Sequence, residues 1–146
     1  MCLSTRILFG AALIAGVQAA AAEPRTNLAA TTPASSAPSS LLLYFNPGSA
    51  TVRPKDVSLL DQASRLYREG KPIVMIVSGS ADATGSAANN LQLSQRRAQN
   101  VLKGLVSRGI PIERFQVLAK GGTDPAVPTP PGVGEERNRR VELTWR

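Results

Sequence analysis

A run of five apolar residues, at positions 73–77, is followed by a polar loop and then by apolar residues at helical spacing. A short apolar stretch bounded by turn residues is typical of a buried strand. Ser94 is a favourable helix N-cap and Gly109 a favourable stop, so the pattern predicts a helix between them. Its apolar positions follow at i, i+3, i+4, i+7 and i+8: Ala98, Val101, Leu102, Leu105 and Val106. Because ligands of open α/β sheets bind beyond the carboxyl ends of the strands, we expect the functional groups in the strand-to-helix loop.

Three charged residues lie in this loop and at the predicted start of the helix. Asp82 is the carboxylate of the loop, and the predicted register places Arg96 and Arg97 at helix positions N2 and N3. The helix macrodipole already presents partial positive charge there, and the capping-box pattern favours Glu. Two cations at these positions indicate a functional site or a compensating anion close by. Asp82 is the nearest candidate for that anion.

The remaining apolar patterns predict a small α/β domain. Strands are expected at residues 41–45, 73–77, 115–119 and 141–145, with a first helix at 54–69 that Gly70 ends. The order β-α-β-α-β-β predicts an α+β two-layer sandwich, a mixed sheet with both helices on one face. The irregular segment 121–138 fits either a functional or a disordered loop. It leads into Arg139 and Arg140, whose side chains should point to opposite faces, so at most one can join a given pocket.

The first 22 residues have the pattern of a secretory signal peptide. A short basic region and an apolar stretch precede Ala20-Ala21-Ala22, which suits cleavage before Glu23. Cys2 is too early for a lipobox, so no covalent lipid anchor is predicted, whereas an uncleaved inner-membrane anchor stays open as an alternative. Residues 23–40, rich in Pro, Ser, Thr and Ala, predict a flexible linker. Residues 41–146 then form one domain.

The composition excludes the commonest catalytic and metal sites. The chain has no histidine, and Cys2, its one cysteine, leaves with the signal peptide. Ser-His-Asp and Cys-His nucleophiles and the usual zinc sites are therefore excluded, and we expect no enzyme, metal or cofactor. Without Arg6 the formal charge of +7 becomes +6, which favours anionic partners such as acidic lipid headgroups or a carboxylate-rich polymer. Export and an aromatic content of 4% argue against nucleic acid.

Five spaced motifs occur in a characteristic order. They are Tyr44-Phe45-Asn46-Pro47-Gly48-Ser49-Ala50, Asp82-x-x-Gly85, Asn90-x-x-Leu93-Ser94-x-x-Arg97-Ala98-x-x-Val101, Gly109-Ile110 and Asn138-Arg139-Arg140-Val141-Glu142. Together they resemble the OmpA-like C-terminal domain, the periplasmic peptidoglycan-binding module also found in peptidoglycan-associated lipoproteins and flagellar stator proteins. The resemblance covers roughly residues 42–145. It implies non-covalent binding of the wall peptide stem through meso-diaminopimelate, and a location in the periplasm at the cell wall or outer membrane.

The resemblance also implies roles for individual residues. Asp82 would pair with the ammonium group of the ligand, and Arg97 with its carboxylate. A free amino-acid end needs one anion and one cation close together, and the guanidinium fork matches a carboxylate. Further positions that the family uses around the ligand are matched by Thr84, Asn90 and Arg139, and by the turn at Gly48, which would lend backbone groups.

Wall binding that anchors an outer-membrane or envelope-machine protein is the favoured hypothesis, and two others stay open. The chain could be an assembly or scaffold subunit that uses its basic surface and proline-rich loop to hold a protein partner. A periplasmic hydrolase would need a nucleophile such as Ser80. In a chain without histidine, that residue is more simply a turn serine.

Overall fold

The computed structural model describes residues 40–146, so the predicted signal peptide and all of the predicted linker before Ser40 lie outside the described residues. The described chain has four strands and two α-helices. They are β1 (Ser40–Tyr44), α1 (Val57–Gly70), β2 (Met75–Gly79), α2 (Ala87–Val106), β3 (Phe115–Ala119) and β4 (Arg140–Trp145). Single 3-10 turns at Pro54–Asp56, Ile112–Arg114 and Glu136–Asn138 precede α1, β3 and β4.

The strands form one mixed sheet in the order β1-β4-β2-β3. β4 is antiparallel to both β1 and β2, and β3 is parallel to β2, so the carboxyl ends of β1, β2 and β3 lie at the same edge. The predicted β-α-β-α-β-β order and α/β class are confirmed. The predicted bounds of β3 are also those observed.

The core lies between the helices and one face of the sheet. Alternate strand residues point inward, as the pairs Leu41–Leu143 and Val77–Leu143 illustrate. The buried apolar cluster consists of Leu41, Leu43, Phe45, Leu60, Ala63, Met75, Val77, Ala98, Val101, Leu105, Ile110, Val141 and Leu143. All of these residues fall within the described domain. Residues 23–146, the chain without its predicted signal peptide, therefore contain every residue of this core.

The N-cap of the second helix lies eight residues before the predicted one, Ser94. Ser86 is the N-cap, and its Oγ accepts a hydrogen bond from the backbone N–H of Asn89 at 3.2 Å. Ser94 is instead buried inside α2, where its hydroxyl donates to Leu91 O and accepts from Gly121 N. The prediction failed because polar residues occupy the inward positions of the first turns, so no apolar periodicity marks them. Those inward positions are Asn90, Ser94 and Arg97.

This correction changes the reasoning about the two arginines. Arg96 and Arg97 lie in the third turn of α2, rather than at N2 and N3, so the inferred conflict with the helix macrodipole does not exist. Arg96 is exposed, whereas Arg97 is completely buried. What distinguishes Arg97 from Arg96 is its burial, rather than a position at the start of the helix.

The connection from α1 to β2 also differs from the prediction. Gly70 is the last residue of α1, and Lys71 takes the left-handed conformation after it, with φ 43°. β2 begins at Met75 because Ile73 and Val74 donate to Arg146 O, outside the regular ladder. The strand ends at Gly79, where it approaches α2 closely. A Cβ atom at Gly79 would lie 2.1 Å from the backbone oxygen of Ser94.

We predict that Gly79→Ala destabilises the domain by roughly 3 kcal/mol, because backbone rather than a flexible side chain occupies the required space. Urea unfolding monitored by circular dichroism measures the loss. Gly70→Ala is the matched control, since no atom lies within 4 Å of its added methyl group. The control should change stability by less than about 1 kcal/mol. Equal stability of the two variants would contradict the close strand–helix approach.

Candidate functional site

Three loops converge beyond the carboxyl ends of β1, β2 and β3. Backbone hydrogen bonds tie them together: Phe45 N donates to Arg139 O at 2.8 Å and Ala81 N donates to Gly121 O at 2.7 Å. Ser80 N likewise donates to Arg140 O at 2.8 Å. The charged residues that the sequence singled out lie on these loops and on the adjoining turns of α2. The expected position of the site, in the strand-to-helix loop after β2, is therefore occupied by a structured loop cluster.

Asp82 lies in the centre of this cluster and is only 4% exposed. Thr84 Oγ1 donates to its Oδ1 at 2.6 Å, and Arg139 Nη1 donates to its Oδ2 at 3.0 Å. Burial alone would raise the pKa of Asp82, but the hydrogen bonds from Thr84 and Arg139, together with the charge of Arg139, outweigh it and hold the pKa below its ordinary value. Asp82 is therefore ionised at neutral pH.

Arg97 joins two of the loops. Its Nε donates to Ser49 O at 2.8 Å, its Nη2 to Asn46 O at 3.1 Å, and its Nη1 to Ser80 O at 3.0 Å. The guanidinium also lies over the ring of Phe45, 5.3 Å from the centroid. These contacts use three of its five N–H donors and leave one on each terminal nitrogen.

The charge of Arg97 is buried without a direct ion pair. Burial lowers its pKa to about 10, the nearby negative charge of Asp82 opposes that shift, and the positive charge of Arg139 adds to it. Arg97 remains a cation at neutral pH. Asp82 and Arg97 thus belong to one electrostatic cluster, as the resemblance implies, although the direct partner of Asp82 is Arg139.

The other predicted site residues support the same cluster in different ways. Asn90 Nδ2 donates to the backbone oxygen of Asp82 at 3.0 Å, so Asn90 positions the loop rather than the carboxylate. Thr84 is exposed and contacts Asp82 directly. Gly48 is exposed, with φ 64°, in the turn whose neighbouring carbonyls accept from Arg97. Arg139 and Arg140 have different partners, as expected, because Arg140 donates to Asp124 O at 3.5 Å.

The segment between β3 and β4 contributes residues that the sequence did not identify. Gly132 N donates to Ala83 O at 2.9 Å, which holds the segment against the loop after β2. A Cβ atom at Gly134 would lie 3.6 Å from Asp82 Oδ2, so the backbone there covers the carboxylate. Asn138 secures the segment internally by donating to Val127 O and accepting from Val127 N. Asn138 is the first residue of the last of the five sequence motifs, and its amide side chain is the feature from which this role could have been predicted.

A depression near these loops lies beside the charged cluster rather than over it. A cavity of about 490 Å³ separates the start of α2 from residues 120–123, and its lining includes Asn90, Leu91 and Lys120 but neither Asp82 nor Arg97. Within the described domain, no group of three or more His, Cys, Asp or Glu side chains is arranged to hold a metal ion. Neither helix there is long and apolar enough to span a membrane.

The fold and the loop cluster define a two-layer α/β module with a buried ionic network at one edge of its sheet. Residues 44–139 match the OmpA family, a span that includes every predicted site residue. The chain belongs to the OmpA family.

Two curated relatives place this module in larger proteins. The chain is 36% identical over 100 residues to outer membrane protein A of Bordetella avium, covering 68% of this chain and 52% of that protein. It is 31% identical over 100 residues to the probable lipoprotein YiaD of Escherichia coli K12, covering 68% and 46%. The chain thus spans about half the length of these relatives.

Solved structures share the architecture. The peptidoglycan-associated lipoprotein of Burkholderia pseudomallei superimposes with a TM-score of 0.67 at 24% identity, covering 72% of this chain and 89% of that one. The cell wall anchor of the T6SS from Pseudomonas aeruginosa gives a TM-score of 0.60 at 30% identity, covering 73% and 79%. The first of these shows the fold alone, whereas the second is also similar in sequence.

We predict that Asp82→Asn lowers stability at neutral pH by roughly 1.5–3 kcal/mol, because two charge-assisted contacts are weakened. The pKa of Asp82 is lower in the folded than in the unfolded state, so its ionisation stabilises the domain fully above about pH 3.9. That contribution is lost as the pH falls toward and through the folded-state pKa. The stability difference between parent and variant should therefore narrow in acid.

Chemical denaturation across acidic and neutral pH measures this difference. Asp61→Asn is the control, because Asp61 is an exposed carboxylate whose one salt bridge within the described domain is the surface pair with Arg108. It should cost less than about 1 kcal/mol. A stability difference for Asp82→Asn that stays constant down to acid pH would show that the charge of Asp82 does not stabilise the fold.

Proposed function

We propose that this domain binds peptidoglycan without catalysis and anchors an envelope component to the cell wall. Membership of the OmpA family supports the proposal, as does similarity to a protein described as a cell wall anchor. The observation that carries it is the common cluster of Asp82 and Arg97 at the edge of the sheet, where ligands of this fold class bind.

The ligand that fits this cluster is a free amino-acid end, such as the one that meso-diaminopimelate presents in a wall peptide stem. Its ammonium group approaches Asp82, which accepts two hydrogen bonds and has lone pairs left for another donor. Its carboxylate approaches Arg97, which has two N–H donors left, and Arg139 adds a second cation beside it.

Access to the cluster requires a small movement of the covering loops. Arg97 is fully buried, and the backbone at Gly134 lies against Asp82, so the ligand reaches both charges only when these loops move apart. The hydrogen bond from Gly132 to Ala83 is the principal backbone contact to break. Its net contribution of about 1 kcal/mol makes such opening thermally accessible. The resulting modest affinity is raised by repetition of stems along the polymer.

A scaffold function is the second candidate. The similarity to the cell wall anchor of the T6SS favours it, because one end of an anchoring domain can hold the wall while another end contacts a protein partner. The two candidates differ in what the Asp82 cluster does. In a pure scaffold, its charges only stabilise the loops. An assay of peptidoglycan binding by variants of this cluster distinguishes the two candidates.

We predict that residues 23–146 sediment with insoluble peptidoglycan, and that Asp82→Ala and Arg97→Ala abolish sedimentation. Because Arg97 also carries three hydrogen bonds of the fold, a third variant is needed. Gly134→Ala adds a methyl group at ordinary contact distance from Asp82, Thr84 and Arg139, so it should fold normally and weaken binding about tenfold by narrowing access.

Gly70→Ala is the control for this assay, since its methyl group meets nothing. Circular dichroism confirms that each variant is folded. Sedimentation of folded Asp82→Ala and Gly134→Ala at the parental level would refute the site and leave the scaffold function. Release of soluble muropeptides by the parent would instead indicate a hydrolase.

Ligand chemistry is tested by competition with soluble stem tripeptides that differ only in the third residue, meso-diaminopimelate or L-lysine. The diaminopimelate side chain ends in an ammonium and a carboxylate, whereas the lysine side chain lacks the carboxylate. Loss of one charge-assisted contact with Arg97 should weaken competition about 10- to 100-fold. Equal competition by the two peptides would show that the site does not recognise the free amino-acid end of the side chain.

A further inference from the structure

The end of the domain opposite Asp82 carries six exposed cations. We call this surface the basic end. It lies where α1 and α2 finish, β2 and β3 begin and β4 finishes. Its members are Arg65, Arg68, Lys71, Lys103, Arg114 and Arg146, all of them exposed.

The charges of the basic end are not neutralised by ion pairs. Among the described residues, salt bridges at the other end are formed by Arg53, Lys120, Arg137 and Arg139, although not by Arg97 or Arg140, whereas no member of the basic end forms one. At that end the recorded pair is between Arg108 and Asp61. Glu69 and Glu113 lie on the same elements without bridging to the six cations. Six described cations without a salt bridge therefore lie at the end away from the proposed wall site.

The basic end also carries the two most exposed large apolar side chains of the described chain. Ile73 is 74% exposed and Ile112 is 58% exposed. Arg114 Nη1 donates to Ile73 O at 3.4 Å, and Ile73 N donates to Arg146 O at 2.9 Å, so Ile73 lies between two of the cations. Ile73 is thus joined by hydrogen bonds to two residues of the basic end.

Two apolar depressions extend this surface. A cavity of about 400 Å³ is lined by Leu66, Glu69, Gly70, Pro72, Trp145 and Arg146. Another, of about 540 Å³, is lined by Leu102, Lys103, Val106 and Ile112. Each combines apolar walls with a cation at its rim.

Stabilisation of helix ends explains the positions of only some of the six cations. Cations in the last turns of α1 and α2 offset the negative end of the helix dipole, which accounts for Arg68 and Lys103. It does not account for Arg114 and Arg146, which lie outside the helices, or for an isoleucine exposed between them. Basic side chains around exposed apolar residues, with a tryptophan at their margin, are the composition of surfaces that rest on anionic bilayers.

We propose that the basic end docks on a bilayer containing anionic phospholipid, with Ile73 and Ile112 inserted among the headgroups. The docking leaves the Asp82 cluster at the far end of the strands and does not depend on what that cluster binds. Ser40, where the described chain begins, pairs with Thr144 at this same end.

The test is sedimentation of residues 23–146 with phosphatidylcholine vesicles that contain or lack phosphatidylglycerol. The parent should bind only the anionic vesicles, and high salt should release it. The triple variant Arg68→Gln, Arg114→Gln, Arg146→Gln should bind on the order of 100-fold more weakly, because each cation near an anionic surface contributes about fivefold. The control triple variant Lys55→Gln, Arg96→Gln, Arg137→Gln removes the same charge elsewhere and should lose less than tenfold.

A second pair of variants tests insertion rather than charge. Ile73→Gln keeps all six cations and should weaken vesicle binding several-fold, whereas Leu91→Gln, at another exposed apolar position, should leave it unchanged. Equal losses in the two triple variants would overturn the proposal. So would parental binding by Ile73→Gln, or equal binding to neutral vesicles. Capture by soluble polyphosphate as tight as by vesicles would show a general anion surface instead of a bilayer-docking one.

Discussion

The buried guanidinium of Arg97 is the interaction on which the loop edge of this domain depends. A cation removed from water is costly unless its donors are satisfied, and here three backbone carbonyls from two loops supply the partners. The ring of Phe45 covers the remaining face. The same side chain therefore closes the end of the core and holds the loops after β1 and β2 at a set distance. The geometry of a binding site at that edge therefore depends on the hydrogen bonds of Arg97.

Helix α2 has two halves with different tasks. Its C-terminal half presents Ala98, Val101 and Leu105 to the apolar core. Its N-terminal half presents Asn90 and Ser94, whose polar groups hold the loop after β2 and the segment after β3. One helix thus packs against the apolar core with its C-terminal half and holds the polar loops with its N-terminal half. This arrangement explains how a chain without disulfides keeps three loops ordered around a buried carboxylate, since every buried polar side-chain atom of the described residues has a partner.

The two ends of the domain treat charge differently. Near Asp82, the carboxylate is paired with Arg139 and Arg97 is held by backbone carbonyls, so the charged groups are largely buried and oriented. At the basic end the cations are exposed and unpaired among the described residues. Oriented, desolvated charges suit recognition of one small ligand, whereas exposed charges suit a diffuse anionic surface. The proposed wall site and the proposed bilayer surface follow from this difference, and the strands separate them.

The sequence by itself determined the order of elements, the α/β class and the identity of the charged residues, because apolar runs, turn residues and spaced motifs are local signals. Asp82 and Arg97 were singled out by their charge around the loop after the second strand, whereas Thr84, Asn90 and Arg139 were assigned to the site through the family resemblance. Only the tertiary structure decided where α2 begins, since its first inward positions are polar and satisfied by distant loops. Only the tertiary structure decided that Asp82 pairs with a residue 57 positions away. Partner choice in a buried cluster depends on which loops converge, and that is a property of the packed sheet, beyond the reach of any local pattern.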